Sequence, residues 1–329
     1  MQHSARSLTG PATSAAEPVA PAESAPVAER PRKHKHSRAH KAEFALARVL
    51  EKAVSAMPER ASDSFGRNVG RLVHKMGIRL DVVDENLRLA FPEKDDAWIA
   101  EITRKTYEHL GREAAAMMRL SKLDPRAVVE RTIPVGWDQM EAALGEGRGV
   151  LLVTGHYGNW EVAAATVAAR GVPIAAIVRR QGNRLVDERL QSLRRQLGVE
   201  TIYQSAAPSR VPRVLRANGV VGIVGDQNAR RAGILVPFFG RPASTHRGPA
   251  LFALRLNAPV FSCIARRLPG DDVRYEIAGE RVDVTRTGDL ETDVTALTAE
   301  LALRLEKQVR IAPEQYFWFH KRWKGAPPP

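Results

Sequence analysis

Between Gly149 and Glu161 the chain reads Gly-Val-Leu-Leu-Val-Thr-Gly-His-Tyr-Gly-Asn-Trp-Glu, and His156 is the residue there whose type suits proton transfer. An imidazole titrates near neutrality, so it can take a proton from a hydroxyl and return it later. Glu161, five residues on, is the candidate for holding that imidazole in one tautomer and stabilising the imidazolium, as the acid does in a catalytic triad. The chain has no Gly-x-Ser-x-Gly corner to carry a nucleophilic serine, so the base would act directly on a bound acceptor. Backbone N–H groups near Gly155 to Asn159 are candidates for stabilising an oxyanion.

Those side chains need a strand end and a helix start to position them. The apolar run of strand formers stops at Thr154 and Gly155, and the small and apolar residues after Glu161 read as a buried helix. Reactive groups of an α/β protein sit at the carboxyl ends of its strands, and this corner is such a place. Flanking glycines let a substrate approach the backbone, and the helix start offers free N–H donors.

The pattern continues along the chain. Strand signals at 149–154, 173–178, 200–203, 220–224, 259–265 and 273–277 are separated mostly by helical ones at 161–170, 184–197, 209–217 and 246–256, and a last helix covers 292–310. That alternation predicts an α/β fold with a largely parallel central sheet flanked by helices. Before it, helices are expected at 42–57, 64–76, 81–90 and 95–120. The organisation expected is a basic tail at 1–41, a helical N-terminal layer at 42–125 packed on the core, and an α/β core at 126–329, with no internal repeat.

Composition narrows the classes. The single Cys263 excludes an internal disulfide and a multi-Cys metal site, and no apolar window is long enough to cross a membrane. The formal charge of +13 favours phosphate-bearing partners. A nucleic-acid-binding protein is disfavoured, because no helix-turn-helix or zinc pattern occurs and the arginines are scattered over many elements. The Ala-, Pro- and Ser-rich tail, ending in the basic run up to Lys41, reads as a disordered segment without a secretory core. The first helix is amphipathic and could lie on a membrane, with Lys41, Arg48 and Lys52 toward the headgroups.

Five blocks carry a resemblance. Gly155-His-Tyr-Gly-Asn-Trp-Glu161 resembles the His-x4-Asp/Glu signature of the bacterial lipid A late acyltransferases, the lauroyl and myristoyl transferases of the wider lysophospholipid acyltransferase superfamily. Asn86-Leu-Arg-Leu-Ala-Phe-Pro-Glu93 resembles the family's N-terminal block, and the segment from Ala176 to Asp187 its Tyr-Arg-Pro block, with Arg179 at the family arginine. Gly225-Asp-Gln227 with Val236-Pro-Phe-Phe-Gly240, and the closing stretch from Ala312 to Arg322, resemble the remaining two. Arg180 stands where the family has Pro, and a polar tail with an amphipathic helix stands where family members carry a membrane-spanning helix.

The resemblance implies a glycerol-3-phosphate acyltransferase-like fold and transfer of an acyl chain from acyl carrier protein or coenzyme A to a hydroxyl of a phosphorylated glycolipid. The first expectation for the acceptor is a lipid A precursor; the alternatives are a phosphatidylinositol mannoside or a lysophospholipid. It assigns catalysis to His156 and Glu161 and substrate binding to Arg179, Asp226, Asn159 and Gln227, with no metal, no prosthetic group and no nucleic acid. Arg179 would clamp a phosphate, and Asp226 would position either that arginine or His156. Arg180, Arg194, Arg195, Arg230, Arg231, Arg247, Lys321 and Arg322 would add positive potential. The expected location is peripheral, on the cytoplasmic face of the inner membrane.

Overall fold

Among the described residues, four helices come first. They are α1 (Arg38–Ala56), α2 (Glu59–Lys75), α3 (Leu80–Ala90) and α4 (Asp96–Arg119). Local chemistry sets their ends: Ser37 caps α1 by accepting from His40 N, Asp95 caps α4 by accepting from Trp98 N, and Pro58 separates α1 from α2. Helix α2 begins five residues earlier than its apolar spacing suggested. Helix α1 starts at Arg38, inside the stretch read as tail. The computed structural model describes residues 37–270, 272–284 and 286–325, so the rest of that tail lies outside the described residues.

The remainder alternates: α5 (Pro125–Glu130), β1 (Thr132–Val135), α6 (Trp137–Gly145), β2 (Val150–Thr154), α7 (Trp160–Ala169), β3 (Ile174–Val178), α8 (Arg184–Gln196), β4 (Val199–Tyr203), α9 (Ala207–Arg216), β5 (Val220–Val224), β6 (Ile234–Phe238), β7 (Arg241–Thr245), α10 (Gly248–Leu256), β8 (Val260–Arg267), β9 (Tyr275–Val282) and α11 (Leu290–Ile311). Seven strands form one sheet in the order β1-β9-β8-β2-β5-β3-β4, parallel except where β8 meets β9. The α/β expectation therefore holds, with one antiparallel pairing added. A separate hairpin, β6 and β7, falls where the Val-Pro-Phe-Phe-Gly block stands.

Strand β2 shows why the centre is doubly covered. Val150 and Leu152 point into a core built with α5, α6 and α7, while Leu151 and Val153 point into one built with α9, α10 and α11. A third core joins α3 and α4 to the hairpin and to the closing segment, through Leu87, Phe91, Phe238 and Trp318. Helices α2 and α4 meet unusually closely: a Cβ on Gly70 would lie 2.1 Å from the Tyr107 carbonyl oxygen, and one on Gly111 would lie 2.1 Å from that of Gly66. Only glycine allows backbones to approach this far.

Candidate active site

Because β2, β5 and β3 are parallel neighbours, the residues that follow them emerge on one edge of the sheet. His156 follows β2 and Asp226 follows β5, and their contact is direct. The carboxylate engages residue 156 twice: Oδ1 lies 2.7 Å from the imidazole Nδ1, and Oδ2 accepts the backbone N–H at 2.9 Å. With Nδ1–H donating to Asp226, Nε2 is the unprotonated ring nitrogen and carries the accepting lone pair. The His156 side chain is 23% exposed and Asp226 is 6% exposed, so the base reaches the surroundings while its partner stays dry.

The electrostatics follow from that pairing. Burial opposes charge on His156, but the Asp226 charge and hydrogen bond outweigh it and raise the imidazole pKa above 6.5. Burial also acts to raise the Asp226 pKa. The His156 charge, its two hydrogen bonds and the charge of Arg322 prevail and hold the carboxyl at about 2. Arg322 is 2% exposed and is fixed by donating to Ser244 O at 2.7 Å and Thr245 Oγ1 at 2.6 Å.

The turn from His156 to Asn159 is clamped between β8 and the closing segment. Gly158 has φ +57°, and a Cβ there would sit 1.8 Å from the Ala265 carbonyl oxygen. Its N–H donates to Gln315 O at 3.0 Å, and that of Asn159 donates to Ala265 O at 3.0 Å. The Tyr157 N–H donates to Gly155 O at 2.8 Å, and that of His156 donates to Asp226. All four N–H groups are thus committed within the protein, which removes His156 to Asn159 as the oxyanion donors expected from the sequence. A different donor stands near: Gln227 Nε2 lies 3.4 Å from His156 Nε2.

Two expected site residues have other employment. Glu161 is held by Arg194 of α8, with both carboxylate oxygens facing the guanidinium Nε at 3.2 and 3.0 Å. It ties α7 to α8, and the carboxylate against His156 is Asp226 instead. Asn159 is 3% exposed and fully used. Its side-chain oxygen caps α7 by accepting from Val162 N, and its amide donates to Glu113 Oε2 at 2.8 Å. Glu113 also accepts from Tyr275 at 2.8 Å and Arg267 at 3.1 Å, and Arg267 reaches Asp63 of α2. A buried ionic network therefore runs from α2 to the catalytic turn.

Arg179 follows β3, on the same edge but two strands from His156, exposed and without a salt bridge among the described residues. Of the remaining expected cations, Arg180 lies over the Tyr203 ring and Arg247 pairs with Glu291. Cys263 is buried, and burial pushes its thiol up to about 12, so it offers no nucleophile.

An apolar cavity opens beside the base. His156, Trp160, Leu110, Met117, Phe317 and Phe319 are among its walls. A second cavity, between α1, α4 and α8, shares Ala114 and Met117 with the first. Trp160 packs edge-on to the imidazole, with ring centroids 4.8 Å apart.

The family sequence model described as bacterial lipid A biosynthesis acyltransferase matches residues 30–325. The chain belongs to this family. It is an acyltransferase-family enzyme. The chain is 25% identical to the lipid A biosynthesis lauroyltransferase of Escherichia coli K12 over 266 residues, 80% of this chain and 85% of the relative. It is 27% identical to the phosphatidylinositol mannoside acyltransferase of Mycobacterium tuberculosis H37Rv over 223 residues, 66% of this chain and 68% of the relative. It is 25% identical to the corresponding acyltransferase of Mycolicibacterium smegmatis over 265 residues, 79% of each. The members of this acyltransferase family similar to this chain thus include both lipid A and phosphatidylinositol mannoside enzymes.

Proposed function

We propose that this acyltransferase moves a fatty acyl chain from a thioester of acyl carrier protein or coenzyme A to a hydroxyl of a phosphorylated glycolipid, first a lipid A precursor. The observation that carries the reading is the His156–Asp226 contact, with Nε2 left unprotonated beside an apolar cavity. His156 Nε2 takes the proton of the acceptor hydroxyl, and Asp226 stabilises the imidazolium. The alkoxide oxygen attacks the thioester carbonyl, the C–O bond forms, and the C–S bond breaks. The departing thiolate takes the proton back from Nε2 and leaves as the thiol. Gln227, with its amide beside Nε2, donates to the oxygen that gains charge. The acyl chain occupies the apolar cavity, and Arg179 at the rim of the same sheet edge meets the acceptor phosphate.

A second acceptor reading, a phosphatidylinositol mannoside, is favoured by the 27% identity to the mycobacterial enzyme. Both acceptors pair a sugar hydroxyl with a phosphate.

None of the described helices is long and apolar enough to cross a membrane. The enzyme meets its lipids peripherally, at the cytoplasmic face of the inner membrane. Leu46 and Val49 on α1 and Leu72 and Met76 on α2 are each more than half exposed, with Lys52 and Lys75 exposed on the same helices. Such apolar residues beside cations suit insertion into an anionic surface. Arg48 has another role than the headgroup contact expected of it, since it pairs with Glu51.

The test is incubation of purified protein with acyl thioesters and both candidate acceptors, read by mass spectrometry. A mass increase of one acyl chain on either acceptor is expected, lost in His156→Ala with an unchanged circular dichroism spectrum. Equal turnover by His156→Ala would reject the mechanism.

A further inference from the structure

Helix α4 places Thr106 and His109 three residues apart, hence on one face, and both line the cavity that His156 also lines. Thr106 Oγ1 and His109 Nε2 are shielded from solvent, and among the described residues neither has a hydrogen-bond partner. Buried polar atoms are normally paired, because leaving one unpaired costs more than a made bond contributes. Two orphans in one cavity, which the base also lines, point to a ligand group that completes them.

The chemistry of that group is constrained. Burial pushes the His109 pKa down to about 4, so near neutral pH the ring is uncharged and presents one N–H and one lone pair. Glu113 lines the same cavity, so an anion would meet a carboxylate and an uncharged imidazole. A neutral group that both donates and accepts fits the pair. Leu110, Met117, Phe317 and Phe319 of the same walls suit hydrocarbon.

We infer that Thr106 and His109 form a polar subsite, inside the acyl cavity beside His156, that recognises a hydroxyl carried close to the thioester by the donated chain. The preferred donor is therefore an α- or β-hydroxyacyl thioester. The inference rests on the acyl-transfer reading and deepens it. The hydroxyl donates to one member of the pair and accepts from the other, and a plain chain leaves both orphaned.

The experiment compares kcat/KM for hydroxyacyl and plain acyl thioesters of matched length, in the full-length enzyme and in Thr106→Val, Thr106→Ser and His109→Phe. The ratio of the two substrates within one preparation is independent of the fraction folded. The wild-type enzyme is expected to favour the hydroxylated donor by about tenfold, the scale of one or two neutral hydrogen bonds. That ratio should fall toward unity in Thr106→Val and His109→Phe and persist in Thr106→Ser. Transfer of both donors with equal efficiency would overturn the subsite and leave the acyltransferase reading standing; the two atoms would then bind only water. A preference that survives in both disruptive variants also overturns it, since the hydroxyl would be read elsewhere. Absence of transfer from every thioester would reject the acyl-transfer reading itself, and the subsite with it.

Discussion

Replacing Asp226 with Asn is the sharpest probe of how the base is built. The substitution is nearly isosteric, and the amide can still accept the backbone N–H of residue 156 that the carboxylate holds at 2.9 Å. It removes the charge, and it removes an acceptor from the 2.7 Å contact with Nδ1 whenever the amide nitrogen faces the ring. The ring proton then moves to Nε2, the atom that must be free to accept. The corresponding change in a serine protease triad costs about 10⁴ in kcat, or about 5 kcal/mol of transition-state stabilisation. A loss of about 10³- to 10⁴-fold in kcat/KM is expected here.

The pH dependence gives an independent signature. Catalysis needs neutral His156, whose pKa is raised, so wild-type activity should climb with pH along an acid limb centred above 6.5. In Asp226→Asn the raising influences are gone and burial remains, which lowers the pKa, so the limb should move below 6.5. The assay is initial-rate thiol release from the thioester donor, measured from about pH 5 to pH 9. A variant that loses less than tenfold activity with its acid limb unmoved would refute the Asp226-supported base. A simple loss of folded protein would lower the plateau and leave the limb in place.

Glu161→Gln should be a stability variant. It strands the Arg194 guanidinium, and breaking one side of a buried pair costs about 3–5 kcal/mol. The melting temperature is expected to drop by roughly 5–15 °C, with kcat/KM of the folded enzyme changed less than tenfold. A thousandfold loss at unchanged Tm would return Glu161 to the chemistry. Leu72→Glu with Met76→Glu should weaken sedimentation with anionic vesicles by tenfold or more, because each apolar side chain contributes about 1.5–3 kcal/mol when fully buried. Transfer to detergent-dispersed acceptor should persist, and undiminished vesicle binding would exclude this face as the docking surface. His109 has a folded pKa of about 4 against an ordinary 6.5, so its neutral form stabilises the fold above 6.5, and that contribution is lost as pH falls through about 4. The shift corresponds to about 3 kcal/mol. Denaturant midpoints at pH 7 and pH 4.5 should therefore differ less in His109→Phe than in wild type, and an identical difference would contradict the assignment.

What the sequence revealed and what it hid divide along the range of the interaction. The corner at His156 was legible because its causes are local: an apolar run that stops at Thr154 and Gly155, then a capped helix. Asp226 stood out at a strand end, yet its contact with His156 depends on β5 lying directly beside β2, a pairing of segments about seventy residues apart that no local spacing encodes. Spacing misled for Glu161. Five residues looked like a short reach to the imidazole, but α7 starts at Trp160 and turns the carboxylate toward α8, where Arg194 waits. The β6–β7 hairpin was not anticipated, and it carries Pro237 within a strand; proline is tolerated in an edge strand that needs no N–H at that position. The commitment of the Gly158 and Asn159 N–H groups was also invisible, because their acceptors, Gln315 and Ala265, come from the closing segment and from β8. The block carrying Pro313, Gln315 and Tyr316 is thereby accounted for physically. It gives the turn the backbone partners that hold His156 over the cavity, so a lesion there should lower activity through the geometry of an imidazole more than a hundred residues away.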